Sequence, residues 1–264
     1  MMMYNRIERP SSPNPQSAEP SESVNGDSFM DVVADLALGR NVLSGESADN
    51  MGCCASKPNV SDPSQPTASA RATPNAPLFD YRTAVLRDAN VDGICVGLTA
   101  EWLSNLQNSP RSRMTALLPG SEGHQSASEW QERYMEIRGD LRSEGTESSR
   151  ANSEAKYAML REAGLQPSQK EKVYRFDAPA GVSRMLDKIT ADGSKYLLSL
   201  SFVEGGRHTV ATSTLDGRTT LFDPNHGEFA VPSNEVANLL QRLSDRYIEP
   251  NGLHLETITT RKMS

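Results

Sequence analysis

The stretch from Tyr196 to Phe222 constrains the fold more than any other part of this chain. It reads YLLSLSFV, a Glu204-Gly205-Gly206 break, RHTVATST, then Leu215-Asp216-Gly217 and RTTLF. Runs rich in β-branched and aromatic residues, separated by short glycine turns, make antiparallel strands. Asp-Gly favours the positive φ values of a two-residue hairpin turn. The strands are therefore expected at Tyr196–Val203, Arg207–Thr214 and Arg218–Phe222, with a further one at His254–Thr260. A meander of this kind must bury an apolar face against something else. Helical patterns on either side supply the cover. Leu98, Trp102 and Leu106 recur at i, i+4, i+8 in a helix beginning near Cys95 and ending by Gln107. Further helices are expected at 126–143, at 151–163 with Gly164 as C-terminal stop, and at 180–191 before Asp192-Gly193. Ser233–Tyr247 reads as an amphipathic helix with Ser233 as N-cap. The order is helices, antiparallel meander, helix, which gives an α+β class with helices around a central antiparallel sheet.

This pattern starts only at Leu78. Residues 1–77 are rich in Ser, Pro, Asn and Ala, with too little apolar surface to offset the entropy of ordering, and are expected to be a disordered tail. Within it, Phe29, Val32, Val33, Leu36 and Leu38 suggest a short helix over Ser28–Leu43. Residues 55–77 carry five prolines among small polar residues and read as a flexible tether. The expected divisions are 1–51, 52–77 and a folded domain over 78–264, enough chain for one compact core.

Composition excludes several functions. A net charge of −7 and a pI near 5.2 argue against nucleic acid as a partner, which needs a basic face. No run approaches the length of a membrane span, and MMMYNRIERPSSPNPQ has no apolar core of a secretory signal. The three cysteines, two of them adjacent, do not make a disulfide framework. They and the four histidines show no metal-ligand spacing, so neither metal nor cofactor is expected.

Three residues could do chemistry together. Cys95 follows Asp92-Gly93 and opens a buried helix, where unpaired N–H groups and the dipole favour a thiolate. His208 lies at the start of the second meander strand, and Asp223 ends the third. Counted back from the Asp216-Gly217 turn, the two fall roughly opposite each other, close enough for the carboxylate to orient the imidazole. A nucleophile, a base and an orienting acid is the arrangement that activates a thiol. Singly, each has an ordinary structural reading: a buried apolar thiol, a half-buried strand histidine, a turn aspartate. Asn90 could be a turn residue. His226 is expected to cap a turn, His124 to sit in a Gly/Ser-rich connection, His254 on an edge segment, and Trp102 in the core. Glu129, Glu132, Arg133 and Glu136 read as a solvated helix face.

Three blocks, Asn90-Val-Asp-Gly-Ile-Cys95-Val-Gly-Leu-Thr-Ala-Glu-Trp102, His208-Thr-Val-Ala and Leu221-Phe-Asp223-Pro-Asn, resemble in order the catalytic blocks of the YopT/AvrPphB cysteine proteases. The resemblance covers residues 78–264 and is strongest to the rhizobial members. It implies a papain-like fold, a type III secreted effector, and Cys95 as nucleophile, His208 as base and acid, and Asp223 as orienter. It also implies that Asn90 lends its side-chain amide to an oxyanion hole beside the Cys95 backbone N–H.

The same resemblance gives meaning to ADNMGCCASK, residues 48–57. Met51-Gly52-x-x-x-Ser56 fits N-myristoylation only if the Gly52 amine is free. Members of the AvrPphB branch cut themselves before such a glycine, after Gly-Asp-Lys or Asp-Lys-Met. Here the matching residues are Asp49-Asn50-Met51, with Asn50 where those relatives place a lysine. The resemblance thus implies cleavage between Met51 and Gly52, loss of 1–51 as a secretion and pro-segment, myristoylation of Gly52, and palmitoylation of Cys53, Cys54 or both. Implied partners are the chain itself, the host plasma membrane after acylation, and host proteins such as receptor-like cytoplasmic kinases. Other readings stay open: a Cys-His-Asp acyltransferase or transglutaminase, a non-catalytic membrane-tethered effector, and Met51 as an internal translation start.

Overall fold

The structure, a computed structural model, describes residues 78–90 and 92–264. The expected tail, the Ser28–Leu43 helix, the Met51–Gly52 bond and Cys53 and Cys54 lie outside the described residues.

A short 3-10 turn at Leu78–Tyr81 leads into strand β1 (Arg82–Val85). Helices α1 (Cys95–Ser104), α2 (Pro110–Ala116), α3 (Glu122–Ser143) and α4 (Ser148–Glu162) follow. Next come β2 (Pro167–Arg175), α5 (Pro179–Ile189), β3 (Lys195–Phe202), β4 (Arg207–Leu215), β5 (Arg218–Asp223) and β6 (Gly227–Pro232). The chain ends with α6 (Val236–Ile248) and β7 (Leu255–Met263). All seven strands of the described residues join one sheet in the order β1-β6-β5-β4-β3-β7-β2, and every paired neighbour is antiparallel.

All four expected strands are present. The Asp216-Gly217 turn takes φ of 52° and 69°, as a two-residue hairpin requires. Strands β1, β2 and β6 are additional. The first is only four residues long, and the second reads PSQKEKVYR, whose exposed charges suit an edge strand and hide the apolar signal. Because β2 lies outside it, β7 is an interior strand, and the expectation of an edge segment around His254 is corrected. Helix α3 starts four residues before the expected position, capped by Ser121, whose Oγ accepts from the His124 N–H. His124 therefore lies in the first turn of a helix, not in a connection. Ser233 does not cap α6. It belongs to a separate 3-10 turn, and its hydroxyl bonds Thr219 Oγ1 at 3.0 Å.

Side-chain alternation along the strands builds two cores. Leu198, Val210 and Leu221 pack under α5 and α6, while their neighbours Leu197, Ala211 and Phe222 pack under α1 to α4. Trp102 lies fully buried in the second core, stacked on Phe222 with centroids 5.3 Å apart. Its indole N–H donates to Glu228 Oε2 at 2.7 Å. Arg113 holds the same carboxylate at both oxygens, at 2.6 and 2.8 Å. A buried carboxylate so completely paired fixes α1 and α2 to β6.

Helix α1 approaches α3 at Gly97, where an added Cβ would fall 1.8 Å from the Ala127 carbonyl oxygen. Gly97→Ala must push the two helices apart. The expected loss is about 3 kcal/mol, or a Tm lower by roughly 6–12 °C, measurable by thermal denaturation.

Candidate active site

The N-terminus of α1 meets the sheet where β4 begins. Cys95 is the first residue of the helix and is buried. Behind it, Gln131 of α3 accepts from the N–H groups of Val96 and Gly97, at 3.1 and 3.3 Å. Thr99, one turn on, donates its hydroxyl to the Cys95 carbonyl at 2.7 Å and lies 3.2 Å from the Thr209 carbonyl. These bonds seat the helix start against β4, with Cys95 Sγ in hydrogen-bonding reach of the His208 ring and the Thr209 N–H.

His208 Nε2 lies 3.0 Å from Asp223 Oδ1, and both side chains are almost wholly shielded from solvent (3% and 0% exposed). With Nε2 engaged by the carboxylate, Nδ1 is left to face the thiol. The structure brings Cys95, His208 and Asp223 together, but the pairing of the last two is diagonal. Ala211 stands opposite Phe222 and Thr212 opposite Leu221. Extending that register places Asp223 against Val210, two residues along from His208. The expectation of a direct cross-strand pair is corrected to a diagonal one, which an imidazole spans.

Two residues that sequence reasoning left unassigned complete the carboxylate's environment. Tyr247 of α6 donates its hydroxyl to Asp223 Oδ2 at 2.8 Å, and the Asn225 N–H donates to Oδ1 at 2.8 Å. A tyrosine on the buried stripe of an amphipathic helix needs a polar partner, and that was the available signal. Asn90 is buried and donates its side-chain amide to Asn225 Oδ1 at 2.7 Å, tying its own loop to the Asp223 corner. That loop is pinned further by His124, whose Nε2 meets the Ala89 carbonyl at 2.9 Å. His226 packs its ring edge-on against Phe79, 5.9 Å away, and against Tyr247 at 6.2 Å, while its N–H closes a turn onto the Asp223 carbonyl. His254 is exposed and pairs with Glu204. Arg133 bridges Glu136 and Glu162 on the exposed face of α3.

The electrostatics follow from burial and pairing. Desolvation disfavours the Cys95 anion, but the His208 ring, aided by Lys156 and the Thr209 N–H, outweighs it, and the thiol is held below its ordinary value. Burial alone would also lower His208. Asp223 and Cys95 overcome that and raise it to about 10. Despite its desolvation, Asp223 is held well below the usual carboxylate range by His208, His226 and the Asn225 N–H. Burial keeps Tyr247 and His226 neutral, raising the phenol and lowering the imidazole. A thiolate–imidazolium pair backed by a carboxylate is the resting state these shifts favour. It opens onto a cleft of about 620 Å³ walled by Val96, Lys156, Ser201, Glu204, Arg207 and Thr209.

Residues 73–263 match the family model Peptidase_C58, described as Yersinia/Haemophilus virulence surface antigen. The chain is 52% identical over 270 residues to a YopT-like protein of Bradyrhizobium diazoefficiens, covering 99% of this chain and 100% of that one. A YopT-like protein of Sinorhizobium fredii is 52% identical over 246 residues, covering 93% and 94%. The cysteine protease avirulence protein AvrPphB of Pseudomonas savastanoi pv. phaseolicola is 31% identical over 175 residues, 64% of each chain. The crystal structure of AvrPphB superposes with a TM-score of 0.65 at 27% identity, over 71% of this chain and 99% of that one. With the expected papain-like α+β fold and a buried Cys-His-Asp cluster in hand, the chain belongs to the Peptidase_C58 family of YopT/AvrPphB cysteine proteases.

Proposed function

We propose that Cys95, His208 and Asp223 are the catalytic triad, and that the first substrate is the chain's own Met51–Gly52 bond. The observation that best supports the triad is the buried 3.0 Å His208–Asp223 contact, set beside a cysteine at a helix start. In this reading the Cys95 thiolate attacks the scissile carbonyl carbon, and the carbonyl π electrons move onto oxygen. Asn90 and the Cys95 backbone N–H donate to that oxyanion. Collapse of the intermediate breaks the C–N bond, and the His208 imidazolium gives its proton to the leaving amine. Neutral His208 then takes a proton from water, whose hydroxyl attacks the thioester and releases Cys95 as the thiolate. Asp223 keeps the ring oriented and stabilises its charged form without itself accepting the proton.

Cleavage before Gly52 frees the amine that myristoylation needs. One myristoyl chain binds membranes only marginally, with K of about 10⁴ M⁻¹. Palmitoylation of Cys53 or Cys54 would supply the second anchor, and Lys57 an attraction to an anionic leaflet. Type III delivery, removal of 1–51, tethering through 52–77 and cleavage of host proteins at the plasma membrane complete the reading, with receptor-like cytoplasmic kinases as the substrate class.

N-terminal sequencing of the recombinant chain beside Cys95→Ala tests the processing step. The wild type is expected to begin at Gly52 and the variant to remain full length. A Gly52 start in both would point to internal initiation, and a full-length wild type would remove self-cleavage altogether.

The charge states predict the pH profile. The thiolate persists below the ordinary thiol range and is lost as pH falls through the lowered Cys95 value. The imidazolium persists until pH rises through about 10. A plot of kcat/KM against pH should therefore extend below the range of an ordinary thiol and fall on an alkaline limb near 10. Asp223→Asn should bring that limb down and cost roughly 10²- to 10⁴-fold in kcat/KM. A wild-type limb near about 6.5, the value for a free imidazole, would show that Asp223 does not hold the charge.

A further inference from the structure

Lys156 of α4 is as buried as the residues of the active site, with 2% of its surface exposed. Its ammonium donates to Ser199 Oγ of β3 at 2.7 Å. An ammonium carries three donors, and among the described residues no other hydrogen bond or ion pair takes up the remaining two. Lysines are almost never buried without a carboxylate of their own. The nearby acid, Glu171 of β2, is already held by Arg261 of β7 at 2.6 and 3.1 Å and accepts from Ser153 at 2.7 Å.

The position of this cation gives it a different partner. Ser199 stands directly across from Thr209 in the β3–β4 register, and the Thr209 carbonyl meets Thr99 Oγ1, one turn on from Cys95, at 3.2 Å. Cross-strand neighbours lie about 5 Å apart, so Lys156 and Cys95 sit over adjacent positions of one sheet face, in the wall of one cleft. Around Lys156 are Cys95 from α1, Tyr134 and Arg138 from α3, Glu171 from β2, Arg207 from β4 and Arg261 from β7. Tyr134 is kept neutral by burial, its phenol raised to about 12. With Arg261 balancing Glu171, the thiolate is the buried anion left for Lys156. Asp223, His208 and Cys95 in their charged forms sum to one negative charge, and Lys156 brings the buried group to zero.

We propose that Lys156 is the counter-charge of Cys95 at neutral pH, a positioning residue that stabilises the thiolate alongside the His208 imidazolium. This rests on reading Cys95 as the nucleophile. Burial works against the ammonium, lowering it from 10.5 to about 8, and the Cys95 anion pushes it back up. A folded value below the unfolded one means the cost to stability grows as pH falls from 10.5 to 8 and is complete below that. A neutral side chain of equal length should then be tolerated or stabilising at neutral pH. The cation is retained at a cost to the fold, as expected of a residue that serves reactivity.

The test is the pH dependence of Cys95 alkylation by iodoacetamide, followed by mass-spectrometric mapping of its peptide, in full-length wild type, Lys156→Met and Lys156→Gln. The alkylation limb of wild-type Cys95 should lie below the ordinary thiol value of about 8.5. In both variants the acid limb is expected to move up by about one pH unit, slowing alkylation about tenfold on that limb, while rates converge at high pH. Their Tm should equal or exceed that of wild type. Superimposable profiles in folded variants would overturn the proposal, as would loss of folding in both, which would make Lys156 a structural residue. A wild-type limb at the ordinary thiol value would instead overturn the reading of Cys95 itself.

Discussion

The half of this molecule that holds the candidate active site depends on one buried carboxylate. Asp223 has no contact with solvent, yet accepts at both oxygens, from His208 and the Asn225 N–H at Oδ1 and from Tyr247 at Oδ2. Those donors come from β4, from the corner after β5 and from α6, so the carboxylate ties three elements together. An ionised carboxylate in such a place is stable only with every acceptor site answered and a positive charge nearby. That requirement raises the proton affinity of His208, and the charged ring in turn draws the thiol toward its anion. Removing Asp223 therefore loosens α6 and the corner as well as changing the protonation of a distant sulfur.

A second carboxylate does the equivalent structural task on the opposite face. Glu228 binds Trp102 and both ends of the Arg113 fork, locking α1 and α2 to β6. Cys95 opens the helix that Trp102 anchors, so its distance from β4 is set by this clamp and by the close α1–α3 contact at Gly97. Gln131 finishes the arrangement by answering two of the N–H groups at the helix start. The thiol is placed by the α1–α4 core and the imidazole–carboxylate pair by the sheet and α6.

Much of this was legible in the sequence. The meander, its Asp-Gly turn and the stripe carrying Leu98 and Trp102 are local signals of period two or near four, and each formed where expected. Cys95, His208 and Asp223 could be singled out because a helix start and two strand ends are positions that local pattern fixes. The register was legible too: a strict count from the two-residue turn sets Asp223 opposite Val210, which makes His208 its diagonal neighbour and not its direct partner. Strand β2 was hidden because an edge strand with alternating charges has little apolar periodicity. Tyr247, Gln131 and Lys156 were missed for a common reason. Each is a polar residue on a buried helical face, and its partner is far away in sequence, from 24 to 43 residues for the bonds that matter. Only the folded arrangement shows what such a residue answers.

The shortest strand explains how the two halves of the site stay in register. Asp223 and Gly227 close a five-residue corner between β5 and β6, and they face each other in the ladder. Gly227 has φ of 103°, and a Cβ there would lie 2.3 Å from the Ala84 carbonyl oxygen. The corner can pack this tightly against β1 only because that position has no side chain. From β1 the chain runs on through Leu86, buried in the α1–α4 core, into the loop of Asn90, whose amide returns to Asn225 in the same corner. Asn90 and Asp223 are thus held by one closed circuit of backbone and hydrogen bonds. The proposed oxyanion donor cannot shift without moving the carboxylate that orients the proposed base. In a cleft where a misplacement of about 1 Å costs on the order of a hundredfold in rate, that coupling gives four edge residues a role their sequence does not announce.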